Sequence, residues 1–212
     1  MDSTNRWLLS EARAGSVSAG CVAVADHQTA GRGRLGRTWE APPGANLLCS
    51  VLLAPDLPPE RLHLAVAAVA VAGHQVTGAG IKWPNDLVME PGSRKLAGVL
   101  AEAEPPWVVV GIGINVGWAP EGAARLGDGW TRDGVLADLL AALSPLVEDW
   151  STVPGLYRAA CVTIGREVRV EMPDPADTFS GVAADVTDEG HLLVETDVCI
   201  KTVAAADIVH LR

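Results

Sequence analysis

From Val22 to Ala25 the chain runs apolar and partly β-branched, and Leu47 to Leu53 forms a second such run; both patterns predict strands. Between them lies a glycine-rich, proline-containing loop of roughly twenty residues, and a connection that long inside a compact domain usually carries function. Residues 60–77 place Ala, Val and Leu at helical spacing after Pro58-Pro59, and Gly78-Ala79-Gly80 stops the pattern, which predicts a core helix. Three short strand-like segments follow, 81–89, 95–103 and 107–116, divided by the turn signals Pro91-Gly92 and Pro105-Pro106. Residues 133–150 return to a helical period, with an interruption expected near Pro145, and residues 154–161 predict a further short helix.

From Thr163 the pattern changes. Segments 166–172, 178–186, 191–196, 198–203 and 207–211 are short and rich in Val, Ile and Leu. They are divided by Pro173-Asp174-Pro175, Asp188-Glu189-Gly190 and Ala204–Asp207, which predicts a small all-β barrel or sandwich. The expected class is therefore α+β: a mixed β-sheet backed by helices in residues 1–162, followed by a small β-domain in residues 163–212.

Composition narrows the function classes. The chain has 212 residues, 49% of them hydrophobic, enough for a substantial core. No uncharged run approaches the roughly 20 residues that span a bilayer, and the N-terminus lacks a basic-then-apolar signal pattern, so a cytoplasmic address and no membrane partner are expected. The formal net charge is −10, which argues against a nucleic-acid surface. Cys21, Cys49, Cys161 and Cys199 show no paired spacing and read as small buried hydrophobes, and the scattered histidines lack zinc-ligand spacing.

One stretch breaks the acidic trend. Arg32, Arg34 and Arg37 lie close together with no acid between them, a local positive site suited to a small anion. The spacing Gly31-x-Gly33-x-x-Gly36 also fits a dinucleotide fingerprint, but that loop must open into a helix, and Pro42-Pro43-Gly44 leaves no room for one. What remains is a loop whose glycines uncover backbone N–H groups and whose guanidinium forks grip carboxylate or phosphate oxygens bidentately. Trp39 either closes over a planar ring or anchors the loop in the core.

Lys82-Trp83-Pro84-Asn85-Asp86 ends a strand in a rigid turn, where Asn85 and Asp86 either orient a nucleotide or hydrated Mg²⁺ or close an Asx turn. Lys95 opens an apolar segment, a costly place for a charge unless it meets an anion or sits at a solvated strand end. Gly111 and Gly113 interrupt a strand, as happens where a ligand or another backbone approaches closely.

Together Ser3-Thr4-Asn5, Gln28 to Trp39, Gly44 to Leu47, Lys82 to Asp86, Lys95 to Leu100 and Gly111-x-Gly113-x-Asn115-Val116 resemble the biotin–[acetyl-CoA-carboxylase] ligase family, in this order. The tail from Thr163 resembles the SH3-like C-terminal β-barrel of those ligases. The resemblance implies a class II synthetase-like fold related to lipoate ligases. It also implies an enzyme that uses ATP and Mg²⁺ to make biotinyl-5′-AMP and passes the biotinyl group to a lysine of a biotin carboxyl carrier domain.

By the same resemblance Ser3, Thr4, Asn5 and Gln28 bind biotin, joined by Gly33, Gly98, Gly111 and Gly113. Arg32 and Arg34 grip its carboxylate and the phosphates, and Lys95 stabilises the charge of the reacting centre. These three are the implied catalytic residues. Arg34, Arg37, Trp39, Asn85, Asp86 and Asn115 fall to ATP and the adenylate, with Mg²⁺ near Asp86. Asp86 is also the candidate base for the acceptor lysine. Competing readings are a lipoate- or octanoate-transferring enzyme and a non-catalytic biotin- or nucleotide-binding protein.

Family members carry a strand or more before the Ser-Thr-Asn motif, so either a strand flanking the biotin pocket is missing or the true start lies upstream. No winged-helix segment precedes the motif, which disfavours a DNA-binding role.

Overall fold

The computed structural model describes residues 1–90, 93–172 and 174–211. The expected turns at Pro91-Gly92 and at Pro173 lie outside the described residues. The main sheet has six strands: β1 (Val22–Ala25), β2 (Leu47–Leu53), β3 (Gly80–Lys82), β4 (Asp86–Met89), β5 (Arg94–Glu104) and β6 (Trp107–Ile114), in the order β1-β2-β6-β5-β4-β3. Every pairing within it is antiparallel, and the parallel component of the expected mixed sheet is a single bridge between Ile81 and Cys161. Segment 81–89 is two strands, because Trp83, Pro84 and Asn85 fold it back on itself.

Side chains on β2 and β6 alternate between two environments, as the pleat requires. Leu47, Cys49, Val51 and Leu53, with Val108, Val110, Ile112 and Ile114, face a core shared with α2 (His63–Thr77), α3 (Arg132–Glu148) and α4 (Val153–Ala160). In α2, Leu64 and Ala65 and every residue from Ala67 to Gly73 are buried, since the sheet lies on one side and α3 and α4 on the other. α3 runs through Pro145 into its final turn without the expected interruption. Proline removes one hydrogen bond there, near the helix end, where few remain to be lost.

The opposite face of the sheet is covered by a helix that sequence reading missed, α1 (Thr4–Arg13). Ser3 caps it by accepting from the Arg6 N–H at 3.5 Å. Leu8, Leu9 and Ala12 then pack on Ala23, Leu52 and Val109. The signal was present in the serine before an i, i+1, i+4 apolar set.

The second sheet comprises β7 (Glu167–Glu171), β8 (Phe179–Val186), β9 (Leu192–Glu195), β10 (Ile200–Val203) and β11 (Asp207–His210), antiparallel in the order β10-β9-β8-β7-β11. Among the described residues no pairing joins β10 to β11, so this row is an open sheet. Cys199, next to its outer strand, is exposed and Cys21 half-buried, contrary to the expectation that all four cysteines are buried; Cys49 and Cys161 are buried. The apolar neighbours Val198 and Ile200 misled that reading, because both are themselves exposed, Val198 in the bend before β10 and Ile200 at its start.

Candidate active site

The loop that the arginines occupy folds as a hairpin between β1 and β2. A bridge joins Arg32 to Thr38, and the Gly33 N–H donates to the Arg37 carbonyl at 2.7 Å. Its tip places Leu35 at φ 55° and Gly36 at φ 75°, the mirror-image turn that suits the twist of a hairpin. No helix follows Gly36 before β2, in keeping with the rejected dinucleotide reading.

Under this hairpin, on the face of the main sheet that carries α1, lies a cavity of about 300 Å³. Its floor is made of glycine. Gly98 of β5 stands directly opposite Gly113 of β6, and Gly111 stands opposite Ser50 of β2. A Cβ on Gly113 would come within 2.5 Å of the Trp39 ring, and one on Gly111 would collide with Asn5 Oδ1. The strand interior therefore tolerates these glycines because another group lies against the bare backbone.

One end of the cavity is a neutral polar socket. The Thr4 N–H and hydroxyl both donate to Gln28 Oε1, at 2.8 and 3.1 Å. The buried Ser50 hydroxyl sits 2.6 Å from Thr4 Oγ1 and 2.6 Å from Asn5 Oδ1, while Asn5 Nδ2 donates to the Leu100 carbonyl at 3.2 Å. Hydroxyl and amide groups of this kind supply donors and acceptors without charge.

The other end is cationic. Lys95 Nζ lies 2.8 Å from Asp86 Oδ1, and Arg32 reaches Glu102 at 3.4 Å. Arg34 donates to Asn85 Oδ1 at 3.2 Å and to the Ala206 carbonyl at 3.4 Å; Arg37 pairs with Asp207 at 2.9 Å. Lys82 also lines this end, and burial pushes its ammonium down, with the neighbouring Asp86 opposing that shift. Trp39 lies across the floor between the two ends, half-buried, with Lys95 Nζ 5.5 Å from its ring centroid. Its Nε1 is buried without a hydrogen-bond partner, an exception to the rule that buried donors are paired.

Every site residue expected from sequence lines this cavity except Asn115. Asn115 is buried, its Oδ1 accepts from Asn46, and its Nδ2 donates to the carbonyls of Ala124 and Lys95. With both amide protons committed inside the protein, it has no donor left for the expected adenine contact. Sequence reading missed Lys82, Ser50, Glu171 and Asp207. Lys82 was recoverable from its own motif; the two acids come from the second sheet, and nothing local marks them.

The main sheet, the neutral socket and the row of cations all lie within the part of the chain whose sequence matches protein ligases of the biotin and lipoate type. Residues 1–118 match the Biotin/lipoate A/B protein ligase family, and residues 163–211 match the Biotin protein ligase C terminal domain. The chain is 40% identical to the biotin–[acetyl-CoA-carboxylase] ligase of Mycobacterium tuberculosis, over 99% of this chain and 86% of the relative. It is 32% identical to the bifunctional ligase/repressor BirA of Bacillus subtilis, over 89% of this chain and 66% of that one. A biotin protein ligase from Aquifex aeolicus, solved with biotin and ATP, superposes with a TM-score of 0.81 at 30% identity, covering 100% of this chain and 95% of the other. The chain belongs to the biotin protein ligase family.

Proposed function

We propose that the protein is an ATP-dependent biotin ligase that forms biotinyl-5′-AMP and transfers the biotinyl group to a lysine of a biotin carboxyl carrier domain. Residues 1–162 form its catalytic domain and residues 163–212 its C-terminal domain. The observation that carries this reading is the single cavity in which the Ser3–Thr4–Gln28 socket, Lys95 and the arginine hairpin meet along the glycine floor.

Biotin lies with its ureido head in the socket, where Ser3, Thr4, Asn5 and Gln28 surround it, and Gly98, Gly111 and Gly113 keep strand side chains out of the way of its fused rings. Its carboxylate points at Arg32, Gly33, Arg34 and Lys95. A carboxylate oxygen attacks the α-phosphorus of ATP, the bond to the β-phosphate oxygen breaks, and pyrophosphate leaves. Negative charge gathers on the α-phosphate oxygens in that step, and Lys95, Arg32 and Arg34, which line this end of the cavity, would stabilise it. The acceptor lysine then attacks the mixed anhydride carbonyl, gives up its proton, and AMP departs. No protein side chain becomes a nucleophile, so rate enhancement rests on positioning and electrostatics.

Trp39 offers a ring face to the adenylate, and Arg37, Asn85 and Asp86 border the phosphates. Among the described residues no cluster of three metal-binding side chains exists. A nucleotide-borne Mg²⁺, which needs only one or two protein carboxylates, fits Asp86 and would neutralise phosphate charge there. Free cysteines suit the cytoplasm, where thiols stay reduced.

Incubation with ATP, Mg²⁺ and a purified carrier domain tests the reading by mass spectrometry. The expected result is one biotinyl increment on the carrier and biotin-dependent pyrophosphate release. An increment from lipoate and none from biotin, or no pyrophosphate, overturns it.

A further inference from the structure

The turn that carries Asn85 and Asp86 is held at its start by contacts that no step of the reaction employs. The Trp83 N–H donates to Thr163 Oγ1 at 3.0 Å, and Thr163 is wholly buried. The same oxygen lies 3.0 Å from Nε2 of His210, on β11, and Nδ1 of that ring lies 3.1 Å from Ser93 Oγ. A hydroxyl has one proton and two lone pairs. The Ser93 hydroxyl donates to Glu90 at 3.3 Å and is left to accept from the Nδ1–H of the ring; Thr163, with one lone pair given to Trp83, then donates its hydroxyl proton in a hydrogen bond to an unprotonated Nε2. This arrangement needs a neutral imidazole. Burial, with Lys82 and Arg166 nearby and only Glu90 opposing them, pushes the ring down to about 4.

β11 has a second task at its other end. Asp207 and the adjoining Ala206 carbonyl hold Arg37 and Arg34 of the hairpin. One imidazole thus joins the strand that holds the arginines to the turn that holds the phosphate-side polar groups. Other contacts to that turn are Tyr157 to the Pro84 carbonyl at 2.9 Å, Trp83 Nε1 to the Gly190 carbonyl at 2.9 Å, and Asn85 with Val99. Arg34 of the hairpin also donates to Asn85 Oδ1 at 3.2 Å, so the His210 relay is a second link between hairpin and turn, from behind, beside that direct contact.

We infer that His210 is a positioning residue of the nucleotide side of the site: through Thr163 it fixes the Trp83–Asp86 turn, and through β11 it sets Ala206 and Asp207 against Arg34 and Arg37. The kinetic consequence rests on the ligase reading above; the structural consequence does not.

The test compares the full chain with His210→Leu, which keeps bulk, and His210→Gln, which keeps an amide able to reach Thr163. Amide hydrogen exchange at Trp83 should quicken about tenfold in His210→Leu, the scale of one buried hydrogen bond, and recover in His210→Gln. KM for ATP should rise about tenfold in His210→Leu and KM for biotin by clearly less, since Arg34 also faces the biotin carboxylate while the ureido socket is built on other elements. Unchanged Trp83 exchange overturns the inference, and so does an equal rise in both KM values. If the unaltered chain releases no pyrophosphate with biotin, the ligase reading fails while the exchange comparison still decides this one. Should His210→Leu not fold, Thr163→Val against Thr163→Ser poses the same comparison from the other end of the relay.

Discussion

Lys95 and Asp86 form an ion pair at 2.8 Å across the β4–β5 ladder, within the cavity, although Lys95 is paired in register with Val88 and Asp86 with Gly98. A carboxylate of the protein thus occupies the cation that the reacting carboxylate and α-phosphate are expected to share. On the proposed mechanism, substrate entry would exchange one anion for others at Lys95 and would release Asp86 from this pair.

Replacing Lys95 with alanine removes charge at the reacting centre and no core volume. Adenylate formation should fall about 10²- to 10³-fold, as when a transition-state donor is lost, with the melting temperature moved by only a few degrees. Pyrophosphate release close to the unaltered rate would remove Lys95 from the mechanism.

Gly113→Ala probes the seat of Trp39. The added methyl meets the indole at 2.5 Å, so the ring must lift from the floor. Tryptophan fluorescence should shift relative to a Trp39→Phe control, and biotin affinity should drop about tenfold or more, consistent with overpacking costs of roughly 1–3 kcal/mol. An alanine variant with unaltered fluorescence and biotin affinity would show that the ring does not rest there.

The His210 ring predicts a pH dependence with a definite sign. Its folded-state value, about 4, lies below the ordinary 6.5, so protonation favours the unfolded chain. The groups facing it are Lys82, Arg166 and Glu90. Its contribution to stability is full above pH 6.5 and declines as pH falls from there through about 4. The melting-temperature difference between the unaltered chain and His210→Gln should therefore shrink across that window, and a difference independent of pH would refute the assignment.

Cysteine alkylation should discriminate sharply. Cys199 is exposed and should react first under native conditions, while burial pushes the Cys49 thiol up to about 12 and shields it from reagent. Peptide mapping after brief maleimide treatment checks this; early labelling of Cys49 would contradict its place in the core.

Much of the site was legible in the chain because its chemistry is local. Gly98, Gly111 and Gly113 stand out in strand patterns where glycine is unfavourable, and the Arg32–Arg37 cluster stands out against an acidic background. The catalytic sheet followed from alternation and turn residues. Trp39 resisted assignment since sequence cannot tell a ring that packs from one that waits for a ligand. Asn115, a polar residue beside a glycine motif, reads as a ligand contact in sequence, while in the structure its amide is engaged with Asn46 and with the carbonyls of Ala124 and Lys95. Asp207 and Glu171 reach the cavity from the far end of the chain, and such long-range placement leaves no trace in periodicity.

The facing pair Gly98 and Gly113 has an evolutionary consequence. A floor without side chains offers few positions at which substitution can tune the fit, because nearly any replacement fills the space itself. Room to alter the fit therefore lies at the rim, in the socket around Thr4 and Gln28 or in the hairpin above, where side chains already stand.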